Sequence, residues 1–256
     1  MECVFVDRRD GIVTVTMNRP EKKNAITAAM TEDLTSLFRE VARSQDDRVL
    51  VLTGAGGDFS SGADLTDSAS LSGSSLYHMR RISELALALH SIPQPTIAKV
   101  PGVAAGMSVN LAFGCDLVVA SDQARFSEIF ARRGLALDCG GSWLLPRRVG
   151  LHKAKELAFF ADVLSASEAQ EMGLINRVIP AGELDKVVDE WASRLAAGPP
   201  LALSMIKSQL DAGLSSSLEE ALEREAVSQS VNFTTADTAE AMAAFVQKRD
   251  PKFTGR

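Results

Sequence analysis

The chain has 256 residues, 46% of them hydrophobic and 23% charged, and this composition predicts a globular protein with a sizeable core. A net charge of −6 and the absence of basic runs exclude the usual features of a nucleic-acid-binding protein. The three cysteines are far apart and fit neither a disulfide framework nor a zinc cluster, so we expect a reducing compartment and no metal.

The sequence contains no obvious segment for export or for membrane insertion. Glu2 and Asp7 interrupt the N-terminal segment, where a signal peptide needs an unbroken apolar stretch. Lys99 and Asp116 interrupt the most apolar stretch, 97–120, and charges are costly inside a bilayer. We therefore expect a soluble cytoplasmic protein that binds neither membranes nor nucleic acid.

Apolar runs typical of buried strands alternate with helical patterns over the first two thirds of the chain. This alternation predicts a layered α/β fold. The predicted strands are 12–17, 49–53, 96–100 and 117–120. The clearest helix runs from Thr27 to Ser44, where apolar residues recur at three- and four-residue spacing and Thr27 is the expected N-cap.

Two later segments carry more limited predictions. The Ser/Gly-rich stretch 68–75 has little apolar content, and we interpret it as a mobile loop and a candidate lid. From about Ser165 the pattern becomes helical, and both Ser165 with Glu168 and Asp237 with Glu240 have the spacing of a capping box. Strands should therefore be absent from the last third.

The C-terminal helices carry more apolar residues than one short helical layer can bury. Met242, Phe245 and Val246 are examples. We expect this face to pack on another subunit or on the main body of the chain.

Two Gly-rich loops could present backbone amides to an oxygen anion. The first, TGAGGDFSSGADL, follows a strand, and the amides after Gly62 are the candidate donors. The second runs from Pro101 into a helix starting near Gly106, which places the amides of 106–108 at the positive end of a helix dipole. The alternatives are a simple strand-to-helix turn for the first and tight packing around core residues for the second.

A third Gly-rich loop, GLALDCGGSWLLPRRVG, contains one carboxylate, Asp138, among Leu135, Leu137 and Trp143. Burial by such neighbours would raise the pKa of Asp138 towards neutrality, which suits a group that takes up and returns a proton. The alternative is that Asp138 caps the helix beginning after Gly140.

The three loops, in this order and spacing, resemble the enoyl-CoA hydratase/isomerase (crotonase) superfamily over essentially the whole chain. The motifs that carry the resemblance are FSSGADL, VPGVAAGMSVNLAFGCDL and GLALDCGGSWLLPRRVG, between VTMNRPEKKNAI near the start and AFVQKRDPKF near the end. The resemblance implies an α/β spiral core of ββα turns over 1–197 and a helical trimerisation region over 198–256. It also implies an acyl-CoA substrate, no cofactor beyond the coenzyme A of that substrate, and a homotrimer or dimer of trimers.

The resemblance assigns the backbone N–H groups of Ala63 and Met107 as the oxyanion hole that stabilises an enolate. At the two positions where hydratases of this family carry glutamates, the chain has Asn110 and Phe130. Neither side chain can act as a general base, so ordinary hydration is disfavoured. Glu128 would share a face with Phe130 in an extended segment and could replace the missing carboxylate through a shifted register.

Asp138 falls where the isomerase branches carry their single acid/base carboxylate, and its surroundings resemble the ring-epoxide phenylacetyl-CoA isomerase group. The leading interpretation is therefore a double-bond shift catalysed by Asp138 with the two amides. One alternative is a 2-enoyl-CoA hydratase that uses Glu128 or Asp138. Another is a non-catalytic acyl-CoA-binding subunit.

The resemblance also suggests substrate contacts. Coenzyme A contacts are expected at Lys23, Asn24, Ala25, Asp64 and Leu65, and at Phe245 and Lys248, the last two often reaching a neighbouring subunit. Asn110 lies at the acyl site, and Met107, Phe130, Trp143 and the 68–75 loop are expected to shape its pocket. We interpret the histidines as surface or helix-end residues and Cys139 as a small packing residue.

Overall fold

The computed structural model describes residues 3–67 and 75–256, which form two sheets and surrounding helices. The strands are β1 (Val4–Arg9), β2 (Ile12–Met17), β3 (Val49–Gly54), β4 (Thr96–Val100), β5 (Val103–Ala105), β6 (Leu117–Ser121), β7 (Arg125–Ser127), β8 (Leu164–Ser165) and β9 (Arg177–Ile179). The helices are α1 (Ala28–Arg43), α2 (Ser75–His90), α3 (Met107–Gly114), α4 (Gly141–Phe160), α5 (Ala166–Glu171), α6 (Leu184–Ala196), α7 (Pro200–Gly213), α8 (Leu218–Asn232) and α9 (Ala236–Gln247).

The chain alternates between the two sheets. Within the described residues one sheet has the strand order β1-β2-β3-β4-β6-β9 and the other has the order β5-β7-β8. After β4 and again after β6, only a few residues separate the strand of the large sheet from a strand of the small one, and a helix follows each pair. These repeated ββα units confirm the α/β spiral.

Both faces of the large sheet are buried. Alternate residues of a strand face opposite sides, so Leu50 and Leu52 join the main core, whereas Val49 and Val51 contribute to a second cluster under α6. Double-sided burial explains why these strands are continuous apolar runs rather than alternating ones. All four strands predicted from the sequence are present.

Helix α1 begins as the sequence predicts. The Thr27 side chain accepts a hydrogen bond from the Met30 N–H, which satisfies one of the free donors at the helix start. Its apolar stripe, including Leu34 and Phe38, is fully buried. The capping box of Ser165 and Glu168 is likewise present at the start of α5.

Two predictions for the last third are wrong. Strand β9 follows α5 and pairs with β6, so strands do not end near Ser165. Asp237 and Glu240 do not form a capping box, because Thr235 already caps α9. Instead Asp237 accepts hydrogen bonds from the Thr254 and Gly255 N–H groups and ties down the C-terminal segment.

The apolar face of the C-terminal helices is not covered by the main body of the chain. Phe245 is 84% exposed and Val246 is 79% exposed, and Met242 is also exposed. Packing on the main body is therefore wrong for these residues, and contact with another subunit stays a prediction.

The loop predicted at 68–75 lies, apart from Ser75, outside the described residues. No helix within the described ranges is long and apolar enough to span a membrane.

The buried amide of Asn24 holds the first Gly-rich loop against the turn after β2. Its oxygen accepts from the Arg19 N–H at 2.9 Å, and its nitrogen donates to the carbonyl oxygens of Ala55 at 2.8 Å and Asp58 at 2.9 Å. The side chain is fully buried, so water cannot replace these partners. Asn24 thereby positions the loop that leads to Ala63.

Replacing Asn24 with Ala should lower the free energy of unfolding by about 3 kcal/mol, because several buried polar groups lose their partner together. Urea unfolding would measure this change. Lys22→Ala, an exposed position in the same turn, is the control and should change the value by less than about 0.5 kcal/mol. Equal effects of the two substitutions would contradict this role for Asn24.

Candidate active site

The first and second Gly-rich loops touch at Gly62. A methyl group at this position would lie 2.7 Å from the carbonyl oxygen of Ala105 and 3.7 Å from the Cα atom of Gly106. Gly62 also has a φ of +96°, a conformation that residues with a side chain rarely adopt. Glycine is therefore required here for the two loops to lie in direct contact.

Buried hydrogen bonds fix the two loops to each other. The Ala105 N–H donates to the Ser60 carbonyl oxygen at 3.1 Å. The Ser108 hydroxyl lies 2.6 Å from the same oxygen and 2.8 Å from the Ala105 carbonyl oxygen. This network is buried and needs no bound ligand to form, so the loops are preorganised.

The N–H groups of Ala63 and Met107 have no hydrogen-bond acceptor among the described residues. Ile26 pairs with the groups on either side of Ala63, because it donates to the Gly62 carbonyl and accepts from the Asp64 N–H. Met107 is the first residue of α3, where helical N–H groups lack a partner within the helix. Two free amides thus lie on loops that are in contact.

The prediction that the amides of 106–108 are all free needs one correction. The Gly106 N–H donates to the Ser127 carbonyl oxygen at 3.0 Å, so it is not available to a ligand. The helix nevertheless starts where the sequence predicts, with Gly106 as its N-cap. The Met107 N–H remains free to donate to a ligand.

Asp138 does not cap α4. The N-cap residue is Gly140, and α4 has no side-chain cap. The Asp138 Oδ1 atom is buried and has no hydrogen-bond partner in the described structure. Burial raises the pKa of Asp138 to about 6, which permits uptake and return of a proton near neutrality. Leu137 packs against the core here, whereas Leu135 is exposed.

Glu128 and Asn110 lie beside Asp138. The Asn110 Nδ2 atom donates to Glu128 Oε2 at 3.2 Å and to the Asp138 carbonyl oxygen at 3.1 Å. Glu128 is buried, and this burial is the main reason that its pKa rises to about 8. The Asn110 hydrogen bond lowers the pKa, and the negative charge of Asp138 raises it.

An apolar cavity of about 370 Å³ lies next to this cluster, between α2, α3 and the start of α4. Asn110, Cys139, His90 and Trp143 are among its lining residues. The His90 and Trp143 rings meet edge to face at 5.3 Å between centroids, and the Arg147 guanidinium lies 4.2 Å from the Trp143 ring centroid. A volume of this size suits a small organic group.

Of the residues expected to shape the acyl pocket, Trp143 lines this cavity, whereas Met107 and Phe130 do not. Both of these side chains are buried, and neither lines the cavity. Met107 belongs to the main core cluster, because the first turn of α3 is packed on its apolar side. The interpretation of Cys139 as a buried packing residue is confirmed.

The residues expected to contact coenzyme A near the first loop fall into two groups. Asn24, Ala25 and Asp64 are buried and engaged within the protein. Asp64 pairs with Arg19 at 2.9 Å, and hydrogen bonds from Thr66 are the main reason that its pKa falls to about 2. Lys23 and Leu65 are exposed and therefore accessible to a ligand.

Phe245 and Lys248 are not brought to this site within a single chain. Both lie at the end of α9 and are exposed, and Lys248 has the left-handed conformation that ends the helix. In the described residues neither side chain has a hydrogen bond or ion pair to the loops that carry Ala63, Met107 or Asp138.

Sequence reasoning missed the part of the cavity wall that comes from α2. The cavity is lined here by Ser83, Leu87 and His90. The sequence predicted His90 only as a surface or helix-end residue, and it is the last residue of α2. The available signal was that Leu87 is apolar but lies outside the buried stripe of α2, where Ile82, Leu85 and Leu89 pack into the core. An apolar residue beside such a stripe can indicate a ligand-facing surface.

Comparisons with known proteins agree with the geometry. A model of the family described as "Enoyl-CoA hydratase/isomerase" matches residues 7–256. A relative from Rhodobacter capsulatus, named "probable enoyl-CoA hydratase", is 41% identical over 249 residues, and the match covers 96% of each chain. The 1,2-epoxyphenylacetyl-CoA isomerase of Escherichia coli is 36% identical over 261 residues and all of both chains. The crystal structure of an enoyl-CoA hydratase from Bacillus anthracis has a TM-score of 0.95 at 29% identity, covering 99% of this chain and 100% of that one.

The contact at Gly62 can be tested with two alanine substitutions. Gly57 also has a positive φ, but nothing lies within 4 Å of the position its methyl group would take. Gly57→Ala should therefore lower the free energy of unfolding only by the conformational cost of about 1 to 2 kcal/mol. Gly62→Ala should lower it clearly more, because its methyl group also displaces the Ala105 carbonyl. Chemical unfolding would measure both, and equal losses would contradict the close approach.

Proposed function

The chain belongs to the enoyl-CoA hydratase/isomerase family, and from this premise we propose that it moves a double bond in an acyl-CoA thioester, with Asp138 as acid and base. Action on CoA thioesters follows from the family. The double-bond shift is the finer proposal. It rests chiefly on one observation: the buried Asp138 Oδ1 atom has no partner among the described residues, and the next residues along the chain, Cys139 and Gly140, line an apolar cavity.

The amides of Ala63 and Met107 stabilise the negative charge that develops on the thioester oxygen. They are free, they lie on loops in contact, and buried bonds hold those loops in place. Removal of a single donor of this kind costs about 3 to 4 kcal/mol of transition-state stabilisation in studied enzymes. Because both donors belong to the backbone, the methionine side chain at position 107 does not affect this role.

Asp138 accounts for the proton transfer. Its ionised carboxylate removes a proton from Cα of a 3-enoyl thioester, and the electron pair moves onto the thioester oxygen. The protonated carboxyl then delivers a proton to Cγ, and the double bond moves from between Cβ and Cγ to between Cα and Cβ. Exchange of the carboxyl proton with solvent between the two steps lets solvent deuterium enter the product. No water is consumed, and Asp138 ends in the state in which it began.

The cavity indicates an apolar acyl group. Leucine, alanine and tryptophan side chains form much of its wall, and Ser83 and His90 are among its few polar residues. A short aliphatic chain and an aromatic ring both fit a volume of about 370 Å³. We expect Asn110 to contact the acyl group, because it lines the cavity and donates to the Asp138 carbonyl oxygen.

For coenzyme A we propose contacts at the exposed part of the first loop. Lys23 and Leu65 are accessible there, whereas Asn24, Ala25 and Asp64 shape the loop from beneath. Phe245 and Lys248 would reach the nucleotide of a neighbouring copy in a homotrimer or dimer of trimers. Lys248 would supply a positive charge to a phosphate.

Hydration of a 2-enoyl thioester is the second candidate. The presence of two carboxyl groups, Glu128 and Asp138, joined through Asn110, favours it. A relative that is 41% identical also carries the name of a probable hydratase. Against it, the buried phenyl ring of Phe130 occupies a position where hydratases of this family carry a glutamate.

Mass spectrometry of 2-enoyl and 3-enoyl CoA thioesters incubated with the protein in deuterated water separates these functions. Deuterium uptake with a displaced double bond and no added water supports isomerisation. A product heavier by one water supports hydration. Tight binding without exchange or product would instead support a non-catalytic acyl-CoA-binding role.

Asp138→Asn should lower the rate of proton exchange by about 10²- to 10⁴-fold, the usual contribution of a positioned acid or base. The affinity for a saturated acyl-CoA should stay unchanged, because the backbone donors remain. Asp185→Asn removes an exposed carboxylate on α6 and is the control, with an unchanged rate. Isothermal calorimetry measures the affinity, and an Asp138→Asn variant with a normal rate would refute the proposal.

The rate should also depend on the ionisation of Asp138. Because burial raises the pKa of Asp138 to about 6, the base form is lost as the pH falls below this value. The kcat/KM for isomerisation should therefore decrease about tenfold per pH unit on the acid side. A rate that stays constant between pH 4.5 and pH 7 would contradict Asp138 as the base.

A further inference from the structure

The hydrogen bonds around Asn110 leave several buried acceptor atoms without a donor. Both N–H groups of its amide are used, one on Glu128 Oε2 and one on the Asp138 carbonyl oxygen. Three buried oxygen atoms nearby have no partner in the described residues: Asn110 Oδ1, Glu128 Oε1 and Asp138 Oδ1. Each is an acceptor if both carboxyls are ionised, and unpaired buried acceptors are costly.

No cation compensates for the two carboxyls. In the described structure neither Glu128 nor Asp138 forms an ion pair. The other titratable group packed against them is Cys139. Burial raises the pKa of its thiol, so Cys139 stays neutral and supplies no positive charge. Asp162 lines a narrow space together with Glu128, and Asp162 is itself paired with Arg132 at 2.7 Å.

Packing fixes the orientation of the Asn110 amide. A methyl group on Gly141, the first residue of α4, would lie 2.5 Å from Asn110 Nδ2 and 2.8 Å from Asn110 Oδ1. The amide therefore lies directly against the helix start and has little freedom to rotate. The Nδ2 atom of Asn110 is the one that faces Glu128 and Asp138, because both atoms that it contacts there are oxygen acceptors.

We propose that Glu128 is a positioning residue that carries a proton in the resting enzyme, pairs through both carboxyl oxygens with the Asn110 amide and thereby fixes the Asp138 turn. A proton on Glu128 Oε1 supplies the donor that Asn110 Oδ1 lacks, while Glu128 Oε2 keeps accepting from Asn110 Nδ2. A carboxylic acid and a primary amide match each other in this two-point arrangement, and a carboxylate does not.

The two acids differ in strength and have different roles in this arrangement. Asp138 ionises first and acts on substrate, whereas Glu128 stays neutral and adds no second charge beside it. When Glu128 loses its proton above about pH 8, the pairing with Asn110 is broken and two anions face each other. The effect on catalysis rests on the function proposed above for Asp138, whereas the proton on Glu128 does not.

Infrared spectroscopy of the substrate-free protein tests the proton directly. At pH 7 the wild-type protein should show a buried carboxylic acid C=O band that shifts in deuterated water and disappears near pH 8. Glu128→Gln should lack the band, and Asp138→Asn should keep it. Absence of the band in the wild-type protein, or its persistence in Glu128→Gln, would overturn the proposal without reference to activity. If Glu128→Gln fails to fold, the pH titration of the band in the wild-type and Asp138→Asn proteins decides alone.

Kinetics test the positioning role. Glutamine can pair with Asn110 in the same two-point manner, so Glu128→Gln should keep the isomerisation rate at pH 7 and lose the decrease above pH 8. Glu128→Leu removes the pairing and should lower kcat by about tenfold or more, as loss of a supporting hydrogen-bond partner does in other sites. A decrease above pH 8 that is identical in the wild type and Glu128→Gln would contradict this role.

Discussion

The contact between Gly62 and the Ala105 carbonyl is the constraint on which the site depends. Two loops, one after β3 and one before α3, can lie together only because residue 62 lacks a side chain. Their hydrogen bonds are internal, and the amides of Ala63 and Met107 remain free as a result. The charge stabilisation that we propose for these amides therefore depends on the backbone, which sheet and helix geometry sets before any substrate is bound.

The carboxyl part of the site depends on the opposite physical effect. Asp138 and Glu128 are withdrawn from water without a cation to compensate, and most buried carboxylates in proteins are paired. The cost of this burial raises the affinity of both groups for protons. Asn110 joins them through one amide, so a neutral side chain connects the segments that carry the two acids.

Much of this organisation could be predicted from the sequence, and the exceptions have physical causes. The strands, α1 and the start of α3 follow from local signals such as apolar runs, the Thr27 cap and the glycine at position 106. Asp138 and the two amides could be assigned through the resemblance. The Glu128 and Asn110 contact could only be suspected, because it joins the segment after β7 to α3 across 18 residues and depends on side-chain direction.

Other errors came from competition between local signals. Asp237 and Glu240 have the spacing of a cap, but Thr235 lies two residues earlier and takes that role. Met107 was expected to shape the pocket, and the structure places its side chain in the core, because the first turn of α3 faces the core on that side. Such outcomes depend on which neighbour is closer in three dimensions, and spacing along the chain does not contain this information.

If the anion-binding groups of the site are all main-chain, as we propose, new reactions can arise by changing the side chains around them. The side chains at positions 110, 128, 130 and 138 come from different segments, namely α3, the turn after β7 and the loop before α4. Each can be exchanged without removing the amides of Ala63 and Met107. Combinatorial replacement at these four positions is thus a route to enzymes that share one enolate-forming scaffold and differ in what happens to the enolate.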